Sequence, residues 1–245
     1  TSDMQPFIHP LSKDVDPCWE ARSDWEIFKG IARPVSALAP GVLGVEKDLV
    51  LTPVLHDTPN ELAMPFGVTD WKKGECEAIP GKTMPSMTVV ERDYPNLYKK
   101  FTSLGPLLDK QGNGGKGMSW DTRDEVDFLT QLNHPVLAEG ISKGRPQIES
   151  AIDACEVILH LAPETNGHVA VKAWESLGTF TGRDHTHLAV GKEHEAIRFR
   201  DVQAQPRKII SSPSWSVLES EHVSYNASYT TFHEFIPSRT LTGRQ

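Results

Sequence analysis

The stretch GRDHTHLAVGKEHEA, residues 182–196, holds four side chains suited to a metal: Asp184, His185, His187 and His194. An H-x-H pair read as a strand would set both imidazoles on one face, as a zinc site requires. Neither a Cys nor an E-x-x-H partner stands nearby to complete a ligand set. Histidines of a surface or an interface give the same pattern more often, so no metal ligands are assigned. The second stretch is KQGNGGKGMSW, residues 110–120. A phosphate-cradling P-loop needs Ser or Thr after its Gly-Lys step, and Gly117 follows Gly115-Lys116. The glycines can still crowd backbone N–H groups around an anion. From the residues alone the expectation is an ordered surface loop.

Other chemistries find less support. No G-x-S-x-G elbow accompanies a serine nucleophile, and Ser211-Ser212-Pro213-Ser214 reads as a turn. Arg198, Arg200, Arg207 and Lys208 form a basic cluster in an acidic chain. It suits a phosphate, an acidic lipid surface or acidic residues of another domain, and a solvated or salt-bridged face gives the same pattern. Asn226-Ala227-Ser228 matches a glycosylation sequon by chance. Cys18, Cys76 and Cys155 are far apart, form no C-x-x-C pair, and fit a reducing compartment. Cys155 reads as a small buried hydrophobe. No catalytic residue is assigned within the chain.

The elements that must position these groups can be read from period and punctuation. Ser23-Asp-Trp-Glu26 is a capping box, Trp25, Phe28 and Ala32 follow at helical spacing, and Pro34 should stop that helix at Arg33. Val50-Leu51, Val54-Leu55 and Thr88-Val89-Val90 suggest short strands. A second helix is expected over 94–109, burying Leu97, Phe101, Leu104 and Leu108, with Gly105-Pro106 as a kink or a split. Thr122 and Glu125 read as another capping box, ahead of Val126, Leu129 and Leu132. The strongest helical region is 147–181. Ile148, Ile152, Cys155 and Leu159 form a stripe there, Pro163 breaks it, and Val169, Trp174 and Leu177 continue toward a stop at Gly182. Residues 197–200 and 223–229 alternate as strands do.

Composition sets the frame. There are 245 residues, 18 Gly and 18 Pro, enough for a substantial core with many turns. A net charge of -8 argues against a duplex nucleic-acid partner. No apolar run reaches the roughly 20 residues of a membrane span. Thr1 and Gly243-Arg244-Gln245 read as the cut ends of a longer chain. The fold class expected is α+β: mixed, helix-rich and loop-rich.

Ten runs in order carry a more specific signal. They include TSDMQPFIHP (1–10), SDWEIFKGIA (23–32), DWKKGECEAIPGKT (70–83), VVERDYP (89–95), GNGGKGMSWDT (112–122) and LAPETNGHVAVKAWE (161–175). FTGRDHTHLA (180–189), IRFRDVQAQPRKIISSPSW (197–215), EHVSYNASYT (221–230) and RTLTGRQ (239–245) complete them. Together they make the chain resemble the catalytic alpha subunit of respiratory, membrane-associated nitrate reductase, a molybdopterin oxidoreductase of the dimethyl sulfoxide reductase type.

That resemblance implies an internal fragment of a multidomain α/β enzyme. It implies that residues 1–38 end a cofactor-binding α/β domain, 39–236 form a nitrate-reductase-type insertion, and 237–245 enter a C-terminal β-rich domain. The full subunit would hold a molybdenum bis(molybdopterin guanine dinucleotide) cofactor and a [4Fe-4S] cluster. Its partners would be the rest of the alpha subunit, an iron–sulfur beta subunit, a membrane haem gamma subunit reached through beta, and nitrate. Its place would be the cytoplasmic face of the cell membrane, held peripherally through those subunits. Thr242, Gly243 and Arg244 match a family run that contacts the pterin; a plain interdomain turn is the other reading of them. The family's cluster and molybdenum ligands find no counterpart here, so the piece alone is expected to bind no cofactor tightly and to be inactive. Nitrite oxidoreductase, the same chemistry reversed, and a non-catalytic docking module are the alternatives. A metal hydrolase built on Asp184-His-Thr-His ranks last.

Overall fold

Ser23 begins the first long element. In the computed structural model its hydroxyl accepts the Glu26 N–H, and the Glu26 carboxylate accepts the Ser23 N–H at 3.2 Å. The expected capping box is therefore present, and helix α1 runs Asp24–Leu38. The structure describes residues 7–10, 15–52, 71–75, 77–78, 80, 84, 86–105, 108, 113–115, 118–181 and 184–212. Among the described residues no helix is long and apolar enough to cross a membrane.

Pro34 does not stop α1 at Arg33; the helix continues to Leu38. Proline removes one intrahelical donor, but tertiary contacts on both sides hold the turn. The Arg33 guanidinium donates to the Tyr98 hydroxyl at 2.8 Å. Ser36 Oγ accepts the Tyr98 N–H at 2.7 Å and donates to the Tyr94 carbonyl. Trp25 stacks on Phe101, with ring centroids 4.6 Å apart. Ala32 faces inward as expected, whereas Phe28 is exposed.

Strands β2 (Val45–Thr52) and β3 (Ser86–Asp93) pair antiparallel, with Val45 opposite Asp93 and Thr52 opposite Ser86. Both are longer than the sequence suggests, because cross-strand charges extend the ladder. Arg92 bridges Glu46 at 2.7 Å and Asp48 at 2.6 Å. The expected strand at Val54-Leu55 lies outside the described residues.

The helix expected over 94–109 is shorter. A 3-10 turn at Tyr94–Asn96 leads into α2 (Leu97–Phe101), which ends there. Thr102 and Ser103 hydroxyls turn back onto the Tyr98 and Lys99 carbonyls. The backbone then pairs with 146–148: Leu104 N–H donates to Pro146 and Ile148 N–H to Thr102. A long-range strand-like bridge interrupts the helical run at 102–105, and Leu108 beyond it is helical again and packs with Leu104 on the core, as a split near Gly105-Pro106 would have it.

Part of the glycine loop is a ladder. Strand β4 (Asn113–Gly115) pairs antiparallel with β5 (Met118–Trp120), so Gly114 faces Ser119. Lys116 and Gly117 lie outside the described residues. Helices α3 (Arg123–Asn133), α4 (Ala151–Leu161), α5 (Gly167–Thr181) and α6 (Phe199–Ala204) follow. Strand β6 (Arg207–Lys208) returns to pair with β1 (Phe7–Ile8). The expected strand at 197–200 is corrected by α6. The Asp201 carboxylate accepts the Arg198 N–H at 2.9 Å, and Val202 is buried, so the short helix is capped and packed. The expected strand at 223–229, the stop at Gly182 and the sequon lie outside the described residues.

Among the described residues, three apolar clusters make the core. Leu129, Ile148, Val157 and Leu161 join α3 to α4, with Trp25 against them. Leu159, Ile197 and Val202 join α4 to α6. Ala170, Trp174, Leu177, Ala189 and Ile210 surround α5, with Trp120 of β5 packed on them. Helix α4 therefore buries Val157 and Leu161 on one side and Leu159 on another. The expected stripe Ile148, Ile152, Cys155, Leu159 is not its inward face: Ile152 and Ile158 are exposed, and Cys155 is half-buried. Ile148 is buried but precedes the helix. The class observed is mixed α+β.

Candidate functional site

The connection between α4 and α5, residues 162–166, is the busiest polar point of the described structure. The Thr165 hydroxyl donates to the Leu159 carbonyl at 2.5 Å, and the Asn166 amide donates to the His160 carbonyl at 2.8 Å. These satisfy carbonyls that the last turn of a helix leaves without partners. Asn166 Oδ1 accepts the His168 N–H and so caps the start of α5. The Ile197 N–H donates to the Thr165 carbonyl, and the Ile210 N–H to the Glu164 carbonyl. Ser212 Oγ donates to Glu164 at 2.9 Å, and the buried indole N–H of Trp174 donates to the Ser211 carbonyl at 3.0 Å. Ser211 and Ser212 are thus buried ties along an extended stretch.

Gly167 shows how close the packing is. Its N–H donates to the Glu195 carbonyl at 2.8 Å. A Cβ added there would lie 1.6 Å from the Lys192 carbonyl oxygen. Only glycine fits, because the backbone of 192–195 runs across that spot.

A second polar centre joins α3 to α5. The Glu125 carboxyl, only 2% exposed, receives Lys172 Nζ on both oxygens at 3.0 Å. His168 Nδ1 approaches the same carboxyl at 2.9 Å. Lys172 also donates to the Asp121 carbonyl. The expected capping box at Thr122 and Glu125 is therefore absent; Thr122 makes no side-chain cap bond. Asp121 serves instead, accepting the Arg123 N–H at 3.0 Å. The Arg123 guanidinium and that N–H hold the Asp121 carboxyl down to about 2. Glu125 shares a helix face with Leu129, four residues on. Reading Glu125 as a cap misses this ion pair; the signal that could have found it is a carboxylate on an apolar helix face.

The candidate metal stretch is placed differently from the sequence expectation. Thr186–Ala189 is a 3-10 turn, not a strand. The Asp184 carboxylate accepts the Thr186 N–H at 2.8 Å and its hydroxyl at 2.7 Å, which lowers its pKa. His185 is buried against Trp174, ring centroids 5.9 Å apart, and His187 lies 6.4 Å from it. His194 is exposed. Among the described residues no group of three or more His, Cys, Asp or Glu is placed to hold a metal ion.

The basic cluster is dispersed into ion pairs. Arg198 meets Glu156 at 2.7 Å and lies over the Phe128 ring, Arg207 meets Glu195 at 3.2 Å, and Arg200 approaches Asp201 at 3.8 Å. His160 stacks on Phe128 with centroids 4.3 Å apart, and burial pushes its pKa down. Burial pushes the Cys155 thiol up. Thr242, Gly243 and Arg244 lie outside the described residues. The arrangement can hold helices, turns and extended segments in register; it converges no nucleophile, base and oxyanion donor on one point.

Residues 111–233, half of the chain, match the family model of the nitrate reductase alpha chain, domain V. The chain belongs to that family. Over 245 residues it is 68% identical to the Respiratory nitrate reductase 2 alpha chain of Escherichia coli (strain K12), covering 100% of this chain and 20% of the relative. The Respiratory nitrate reductase 1 alpha chain of the same strain is 65% identical over the same shares. The Nitrate reductase alpha chain of Bacillus subtilis (strain 168) is 47% identical over 247 residues, again 100% of this chain and 20% of the relative. The chain thus spans about a fifth of the length of these curated relatives, and the family model that its residues 111–233 match is one domain of a larger multidomain chain. The runs LAPETNGHVAVKAWE, FTGRDHTHLA and residues 197–212 of IRFRDVQAQPRKIISSPSW meet in space: they supply Glu164, Thr165, Gly167, Trp174, His185, Ile210 and Ser212 of the junction above.

Proposed function

We propose that the chain is one segment of the catalytic alpha subunit of a respiratory nitrate reductase, and that its role there is structural. The observation that carries this is 68% and 65% identity, over all 245 residues, to two respiratory nitrate reductase alpha chains. In this reading the full subunit reduces nitrate to nitrite. A molybdenum bis(molybdopterin guanine dinucleotide) centre supplies the two-electron chemistry. Electrons arrive through a [4Fe-4S] cluster, an iron–sulfur beta subunit and a membrane haem gamma subunit. The subunit sits at the cytoplasmic face of the membrane through those partners. Residues 1–38 close the cofactor-binding domain, 39–236 are the insertion, and 237–245 lead into the last domain.

The described residues do not fit a ligand set for either metal group. Asp184 is engaged by Thr186, His185 by the core around Trp174, and Glu125 by Lys172. No step of the reduction is therefore routed through them. The polar network of 162–167 and 192–212 supports a scaffold that keeps its segments in one arrangement. Thr242, Gly243 and Arg244 are the proposed cofactor contacts of this chain: glycine permits close backbone approach, and the arginine fork matches a phosphate.

The test compares the full-length alpha chain with the 245-residue chain, using a reduced viologen as donor and nitrate as acceptor. The full chain should turn over, and the segment should neither turn over nor retain molybdenum. A full chain with normal molybdenum content and no nitrate reduction sinks the reading. In the full chain, Arg244→Ala should weaken cofactor retention about 10- to 100-fold, the worth of one charge-assisted bond, and Arg244→Lys should restore part. Normal molybdenum and turnover in Arg244→Ala would remove the triplet as a cofactor contact.

A further inference from the structure

Helix α1 has two apolar sides. One carries Trp25, Ala32 and Ala39 and packs toward α2 and the core. The other carries Ile27, Ile31, Pro34 and Leu38, and Phe28 lies between the two. At about 3.6 residues per turn, those four fall within roughly 60° of one another, centred roughly 130° round the helix from Trp25, Ala32 and Ala39, along about 16 Å of helix. They are open to solvent: Ile27 is 43% exposed, Phe28 57%, Ile31 52% and Leu38 74%. Val42 and Leu43, just beyond the helix, are exposed as well. A helix that is apolar on both sides is one that is covered on both sides in its native setting.

Gly30 points the same way. It stands inside the helix next to the stripe, where glycine weakens a helix relative to alanine. Among the described residues nothing lies within 4 Å of where its Cβ would be, so none of them requires its small size. A surface approaching closely along the stripe would require it.

We propose that this face of α1 is the seat of another part of the same alpha-chain polypeptide, which lays an apolar surface along Ile27, Ile31, Pro34 and Leu38. The proposal rests on the reading of this chain as a segment of a longer alpha chain. The chain spans 20% of its relatives' length, so most of that polypeptide lies beyond it. The size of the stripe selects this occupant. A footprint of about 16 by 10 Å is far below the ~800 Å² per partner that separate chains bury in a specific complex. A covalently joined segment needs no such area, because the tether supplies its effective concentration. An anionic membrane is disfavoured by Asp24 and Glu26 at the start of the helix and by the net charge of -8.

The test uses the full-length alpha chain, isolated as a monomer by size, carrying Ile31→Cys or, separately, Leu38→Cys. Maleimide labelling at that position is followed by peptide mass mapping, natively and in urea, in variants whose thermal unfolding matches the parent. Labelling in the native monomer should be slower than in urea by at least roughly a hundredfold at both positions. Native labelling within a few-fold of the urea rate overturns the proposal. Protection that arises only in a dimer, or only on adding another subunit or anionic vesicles, also overturns it. Nitrate reduction is assayed on the same preparation, so a failure of the catalytic reading is scored separately from an open stripe.

Discussion

Replacing Lys172 with methionine tests the ion pair that fastens α3 to α5. The change keeps most of the apolar stem and removes the ammonium. Glu125, 2% exposed, would then be left with His168 as its remaining side-chain partner, and His168 is 58% exposed. Stripping one partner from a fully buried pair costs about 3–5 kcal/mol. Lys172 itself is 20% exposed, and His168 Nδ1 still lies 2.9 Å from the carboxyl, so we expect about 2–3 kcal/mol. The readout is urea unfolding of the chain followed by tryptophan fluorescence, since Trp120 and Trp174 belong to the same apolar cluster as α5. Glu125→Gln and the double variant complete a cycle, with a coupling of about 1.5–3 kcal/mol expected for a charge-assisted bond. His168→Gln should cost under about 1 kcal/mol, as befits an exposed partner. Lys172→Met within ~0.5 kcal/mol of the parent, together with no coupling to Glu125→Gln, would refute the assignment of this pair as a structural fastener.

Three further outcomes follow from the same packing. Gly167→Ala should destabilise by about 3 kcal/mol or more, because its Cβ would meet the Lys192 carbonyl oxygen at 1.6 Å and backbone must move; an unchanged urea midpoint would contradict that contact. Burial lowers the His160 pKa from 6.5, so below about pH 6.5 the unfolded chain takes up a proton that the folded chain resists. The stability that neutral His160 protects is complete above that value and is lost as pH falls toward the folded pKa. His160→Leu should therefore flatten the acid side of a stability–pH curve between about pH 7 and about pH 5, and an unchanged slope counts against it. Cys18 is exposed, whereas Cys155 is half-buried with its thiol pKa raised. A thiol reagent at neutral pH should label Cys18 well before Cys155, and equal rates by peptide mapping would show that Cys155 is more open than the structure has it.

What could be read from the sequence was whatever is decided within about one helical turn. Ser23 and Glu26 sit three residues apart, and the box they form needs nothing else. Pro163 and the polar run after it mark the break between α4 and α5, and the alternation near Val89 marks a strand. The ten ordered runs pointed to the nitrate reductase alpha chain family because long runs in order carry far more information than any short motif.

Tertiary structure decided what depends on distant partners. Pro34 stays inside α1 because Tyr94 and Tyr98, about sixty residues away, hold the turn around it. The helix expected over 94–109 is interrupted after Phe101 because residues 146–148 pair with the backbone that follows, and Leu108 is helical again beyond that bridge. Residues 197–200 alternate like a strand, yet Arg198 and Val202 find Glu156 and the α4 core, and a capped helix results. Glu125 looked like a cap by spacing, and Lys172, 47 residues on, made it a buried ion pair instead. Local patterns fix where backbone hydrogen bonds begin. Which competing pattern survives depends on the side chain or carbonyl that arrives from elsewhere, because a buried polar group without a partner costs more than the local preference is worth.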